Sequence, residues 1–410
     1  MRAVILLIAF ALRAVAQGAP VTIGVEGKTN QSATVAASGL FVAVAFGASD
    51  ASGTDVFVAV SQNGGGKFAA PVRVNATAGD ARVGGEQPPH VALIDRKGTL
   101  PEIAIVWTTK GVDGTRLFTA RSTDGGRTFG ANSVIPGSDG AGSRGWESVA
   151  VDKAGHLFTL WLDHRETAKA KAMPAMGEMK HDPTAMAELS KLYFSSLDDK
   201  TPRVITGGVC YCCKTSLVAA ADGSVYGVWR HVYAGSQRDI ALTVSRDGGR
   251  TFSLPARVSE DHWAFDGCPD NGPTLAVDGK KRAHVVWPTP PDGKTESPLA
   301  LFYAMSKDGR SFSPRVRVPS KGAAHHAQLI TVADGSLLLA WDEIGAGGRK
   351  IHLARAKADD AGKPSFDELS AGNVGLGNYP QLAETAAGAV MAWSMTEGGR
   401  SLIGVVRVRR

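Results

Sequence analysis

The sequence predicts an all-β fold, a β-propeller of seven four-stranded blades, with six blades as the alternative. Three observations carry this reading. A Ser-x-Asp-Gly-Gly-x-Thr-Phe turn recurs along the chain, alternating apolar strands reach a Trp again and again, and glycine is abundant (49 of 410 residues) without long helical periodicity. A hairpin reused in this way marks a repeat architecture.

The elements follow in chain order. Arg2, the apolar run Ala3 to Leu12 and the small-residue site Ala14-Val15-Ala16 read as a signal peptide over residues 1–16. The run is too short to span a bilayer, and no later stretch is long and apolar enough. The mature chain, residues 17–410, is therefore expected to be a single propeller domain, exported to a periplasmic or extracellular, oxidising compartment. Val21 to Val25 is a spare strand placed to complete the last blade and close the ring.

Seven strands carry the count. They end at Phe46, Trp107, Trp161, Trp229, Trp287, Trp341 and Trp393, and the Trp-to-Trp steps are 54, 68, 58, 54 and 52 residues. Within the fourth unit the expected strands are Ser216–Ala219, one ending at Trp229, Ile240–Ser245 and Ala256–Val258. The repeated turn joins the third strand to the fourth, as in Ser122-Thr123-Asp124-Gly125-Gly126-Arg127-Thr128-Phe129 and Ser245-Arg246-Asp247-Gly248-Gly249-Arg250-Thr251-Phe252. Ser306 to Phe312 is one residue shorter, and Ser61 to Phe68 has Asn63 for Asp. Glycine supplies the positive φ, and the Ser and Asp side chains are turn-stabilising acceptors.

This S-x-D-x-G-x-T-F turn resembles the Asp box (BNR repeat) of the sialidase superfamily. The resemblance implies the propeller fold and places the turns away from the active face. Sialidases resemble one another in an F/Y-R-I-P motif before the first blade, whose Arg begins a triad that grips a carboxylate. Val21 to Ala37 contains no Arg. A Tyr/Glu nucleophile pair and an acid would also be required. Glu147, Asp163, Arg165, Arg230, Tyr233 and Tyr379 fall at strand ends, but none sits in an alignable motif, so no catalytic residue is assigned.

The opposite face concentrates unusual residues. Aligning Leu217, Leu275 and Leu329 on the following Trp sets Cys210 opposite Cys268, Cys212 opposite Asp270, and Cys213 opposite Asn271 and His325. Strand alternation would put Cys210 and Cys212 on one side and Cys213 on the other. The long loop of the third unit adds Met173, Met176, Met179 and His181, with a short helix expected from Asp182-Pro183 through Leu192. His164, His231 and His326 map to the same face. Thiolate, thioether and imidazole together suit a soft metal, copper first and zinc second. The M-x-x-M-x-x-M-x-H spacing resembles Met-rich copper segments of exported copper-handling proteins.

Two other readings remain open at this point. In an oxidising compartment Cys210 or Cys212 with Cys268 would staple the fourth blade to the fifth, with the Met loop as a lid. The mouth can equally belong to a sialidase-like glycoside hydrolase, a carbohydrate-binding protein or a protein-binding scaffold. The formal charge of +6, or +4 without Arg2 and Arg13, is scattered, which excludes a nucleic-acid stripe.

Overall fold

The computed structural model describes residues 20–98, 100–171, 183–199, 201–369 and 374–409. The expected signal peptide and Met173, Met176, Met179 and His181 lie outside the described residues. Among the described residues, seven antiparallel sheets form seven blades in a ring. The fourth blade is representative: Ser216–Ala219, Val225–Tyr233, Gln237–Ser245 and Ala256–Arg257, paired in that order from the axis outward. Strands expected to stop at their Trp run on by up to four residues, so each aromatic lies within its strand.

The spare strand closes the ring as expected. Val21–Ile23 pairs antiparallel with Arg400–Arg409, joining Val21 to Val405 and Ile23 to Ile403. The seventh blade thus takes its fourth strand from the opposite end of the chain.

Each aromatic of the second strands is buried against the preceding blade. Trp229 packs with Phe158, Leu160 and Phe194 of the third blade, and Trp287 packs with Tyr226, Val228 and Leu242 of the fourth. Phe46 does the same against Val390, Ala392 and Val405 of the seventh. Trp229, Trp287 and Phe46 are fully buried. Truncating such a side chain costs about 3–5 kcal/mol.

The repeated turns have one internal geometry. Asp247 accepts hydrogen bonds from Ser245 Oγ (2.7 Å), the Thr251 N–H (2.9 Å) and Thr251 Oγ1 (2.6 Å), while Ser245 Oγ accepts from the Gly249 N–H (2.8 Å). These bonds, the Thr251 hydroxyl first, hold the Asp247 carboxyl at about 2. The second glycine is also a joint. Gly249 (φ +85°) lies against Phe194 of the third blade, and a Cβ there would sit 2.6 Å from that ring.

The third blade departs from expectation. Its long connection carries two helices, Arg165–Lys171 and Pro183–Leu189. The second ends before Leu192, which belongs to the strand Lys191–Ser196 and pairs with Leu162. Strand pairing overrides the helix here because Leu192 is needed in the core. No helix among the described residues is long and apolar enough to cross a membrane.

Gly249→Ala should cost about 1–3 kcal/mol, from backbone strain plus overpacking. Gly248→Ala, at φ +70° but facing open space, should cost about 1 kcal/mol. Urea unfolding of the two variants checks the difference.

Candidate functional site

The inner strands begin at one face, and four of them begin with the same strain. Ser32, Trp146, His326 and Tyr379 are non-glycine residues in the left-handed region, at φ 56°, 52°, 47° and 54°. Each lies where the pairing of its inner strand shifts register. Such a residue costs on the order of 1–3 kcal/mol, and a bulge re-aims the side chains around it. The ring pays this at one level in four blades, which singles out this face.

Tyr379 stands where two cavities meet. One, of about 530 Å³, opens between the first and seventh blades. Its lining includes Gln31, Ser32, Arg349, Asn378, Ser394 and Thr396. The other, of about 120 Å³, includes Glu86, His90, Lys214, Gln328 and Gln381. Gly85 lies on both, and a Cβ there would fall 2.0 Å from the Tyr379 hydroxyl, so only glycine admits the phenol. Burial, with the charges of Asp270, Glu86 and Asp342, pushes Tyr379 up to about 12, so it is a neutral donor at pH 7.

A polar relay fixes this tyrosine. Its backbone N–H donates to Asp342 Oδ2 (2.9 Å), its ring centroid lies 3.9 Å from that of His326, and His326 Nδ1 is 2.7 Å from Asp342 Oδ2. Arg349 pairs with the other Asp342 oxygen at 2.7 Å. Burial works against the Asp342 charge, but the bond with His326, the Tyr379 N–H and Arg349 outweigh it and lower its pKa. Across the axis, Glu86 Oε2 accepts from the Lys214 N–H (2.9 Å) and the Gly272 N–H (2.7 Å). Its Oε1 is buried without a partner.

The cysteines form a second centre on the same face. Cys212 and Cys268 are joined as a disulfide, linking the entrances of the fourth and fifth blades as the staple reading has it. Cys210 and Cys213 are buried thiols with sulfurs 3.7 Å apart. The expected alternation does not hold, because residues 211–213 turn rather than extend, which folds Cys210 and Cys213 to one side. The two sulfurs share a hydrogen bond, and this bond, with the charges of Arg238 and Arg230, lowers Cys210; burial, then the bond with Cys210 and its charge, raise Cys213.

Arg238 Nη1 lies 3.2 Å from Cys210 Sγ, its Nε donates to Phe265 O, and its Nη2 has no partner. Arg230 donates only to backbone carbonyls, those of Asn271, Arg238 and Pro288. Both side chains are buried, and neither makes an ion pair among the described residues. Tyr211 and Trp263 face the two guanidinium groups at 5.7 and 5.1 Å, each contributing about 1–2 kcal/mol. Burying a cation costs several kcal/mol, so the rings offset only part of it.

The structure sorts the sequence candidates. Cys210, Cys212 and Cys213 place their sulfurs within 4.8 Å of one another, and among the described residues no His belongs to that group. His325 hydrogen-bonds with Asn271 (2.8 Å) instead. Asp163 is consumed by Arg144 and Arg165, Arg230 by carbonyls, and Tyr233 faces Arg257. Of the six strand-end candidates, Tyr379 alone lines either mouth cavity. Glu86, Lys214, Asp342, Arg349, Asn378 and Arg238 were missed. The signal for Glu86 was its place just ahead of an inner strand, beside the pair Gly84-Gly85.

No known family of sequences matches the chain, and no curated protein matches it by sequence. Solved structures do match it in fold. The polysaccharide lyase Uly1 is 11% identical with a TM-score of 0.57, over 92% of this chain and 90% of that one. The GH93 α-L-arabinofuranosidase of Fusarium graminearum, solved with arabinobiose, is 12% identical with a TM-score of 0.54, over 96% and 98%. The Hadza microbial sialidase Hz136 is 14% identical with a TM-score of 0.51, over 88% and 74%. At these identities the likeness is one of fold.

Glu147 gives this face a pH dependence. It is fully buried, with one oxygen bonded to Thr108 and the other without a partner, and burial pushes it up to about 7 from an ordinary 4.5. The folded state therefore binds the proton more tightly than the unfolded one. Its contribution is fully present below about pH 4.5 and is lost as pH rises through about 7, a difference of about 3 kcal/mol. Glu147→Gln mimics the protonated acid and should flatten this slope. Urea unfolding at pH 5 and pH 8 should show the wild type losing more stability than the variant.

Proposed function

We propose that the chain is an exported, sialidase-like propeller that binds a carbohydrate in the cavity between the first and seventh blades, with Tyr379 at its inner end. The observation that carries this reading is the lining of the 530 Å³ cavity. Beside Leu376 and Met395, its uncharged polar side chains are amides, hydroxyls and a phenol, the groups that exchange hydrogen bonds with sugar hydroxyls. Arg349 is its one charged residue, and Asp342 already neutralises it. The first blade contributes Asn30, Gln31 and Ser32 and no Arg, so the ligand is a neutral sugar rather than a sialic acid. The fold neighbours that act on arabinosides and polysaccharides support a sugar at this face.

A hydrolytic version of this reading has one observation in its favour. The Glu86 oxygen without a partner belongs to a carboxylate on the cavity wall that Tyr379 also lines. Burial, then the Glu86 charge, raises the pKa of Asp270 nearby, as a proton donor at the mouth requires.

Calorimetry with arabinobiose and with sialyllactose tests the proposal. The neutral oligosaccharide should bind, and Asn378→Ala and Tyr379→Ala should each weaken it at least roughly tenfold, about 1.4 kcal/mol. Preference for the sialoside, or a folded protein that binds neither sugar nor any member of a neutral glycan panel, would overturn it. Reducing-sugar release that disappears in Glu86→Gln would establish the hydrolytic version.

A further inference from the structure

We infer that the thiol pair of Cys210 and Cys213 is a site for one monovalent soft metal ion, Cu(I), held by two thiolates and charge-compensated by Arg238 and Arg230. This goes beyond the sugar reading and stands or falls separately from it.

The ligand set follows from the sulfur inventory. Cys212 and Cys268 are taken up in their disulfide, which leaves a Cys-x-x-Cys pair with sulfurs 3.7 Å apart. The position is fixed from both sides. The Cys210 N–H donates to the Arg230 carbonyl at 2.9 Å, and the Lys214 N–H, next to Cys213, donates to Glu86 at 2.9 Å. Both cysteines are about 1% exposed, under Ala187 of the helix Pro183–Leu189 and beside Val232. Two preorganised thiolates in a dry pocket suit a soft ion that accepts few ligands.

Charge selects among soft ions. Arg230 and Arg238 bring two buried positive charges with no carboxylate partner among the described residues, and Arg238 Nη2 is an orphan donor. A monovalent ion between two thiolates leaves one net negative charge, which these guanidinium groups stabilise. Zinc between the same thiolates would be neutral, would leave both cations uncompensated and would lack two of its four usual ligands. Arg238 is thus a positioning residue that acts through Cys210 Sγ.

The test uses the whole mature chain, kept free of oxygen and of reductant so that the Cys212–Cys268 disulfide stays intact, and titrated with Cu(I) against a chromogenic Cu(I) chelator. About one equivalent should be retained, and alkylation with mass mapping should show Cys210 and Cys213 protected together. Cys210→Ser and Cys213→Ser should each abolish retention. Arg238→Met should weaken it by about 10–100-fold while the circular dichroism spectrum is unchanged. X-ray absorption should show sulfur neighbours alone. Retention unchanged in the folded Cys210→Ser protein, no retention by the folded wild type with its disulfide intact and both free thiols titratable, or preferential retention of zinc would overturn the assignment.

Discussion

What each blade offers the blade before it holds the ring together. The second-strand aromatic and, where present, the turn glycine point the same way, toward the preceding sheet. Trp229 and Gly249 both meet the third blade through Phe194. Phe46 and Gly65 both meet Val390 of the seventh. Ile23, from the strand that completes the seventh blade, is buried in the same cluster. With every joint rigid, the ends of the inner strands become fixed points, and a mouth can be assembled from segments far apart in sequence.

That division explains what the sequence revealed. The blade count was legible because core residues repeat with the joint they serve. A staple from the fourth blade to Cys268 of the fifth was legible because Leu217 and Leu275 hold equivalent places in adjacent blades, but the alignment set Cys210 opposite Cys268 and the bond is made by Cys212. The mouth was not. His325 meets Asn271, the residue that counting set level with it, but does not join the group of sulfurs. Glu86 precedes an inner strand split into Ala81–Arg82 and His90–Ile94, so counting back from Trp107 could not place it. Cys210 and Cys213 were read as a strand, yet a turn brings them together.

Charge follows the same geography. The surface ion pairs of the blades, such as Lys281 with Asp222, are exposed and worth little. The inner face instead buries Arg144, Arg230 and Arg238, two of them without a carboxylate. Arg144 meets Asp163 at 3.3 Å and four backbone carbonyls, which is a structural arrangement. Arg230 also has its donors spent on carbonyls. Arg238 differs, because one of its donors faces a sulfur and another faces nothing.

The 120 Å³ cavity and the Cys210–Cys213 pair are neighbours. Lys214 follows Cys213 directly, its N–H holds Glu86, and its ammonium reaches the Ala327 carbonyl at 3.0 Å. Asn271 accepts from Arg230 on one side and meets His325 on the other. The first link ends on the Glu86 side chain, and the second runs from the Arg230 side chain through Asn271 to the His325 ring. Cys213 is thus separated from Glu86 by one peptide link and one hydrogen bond. Glu86 is held there through Oε2 alone, by the Lys214 and Gly272 N–H groups, while its Oε1 is buried without a partner.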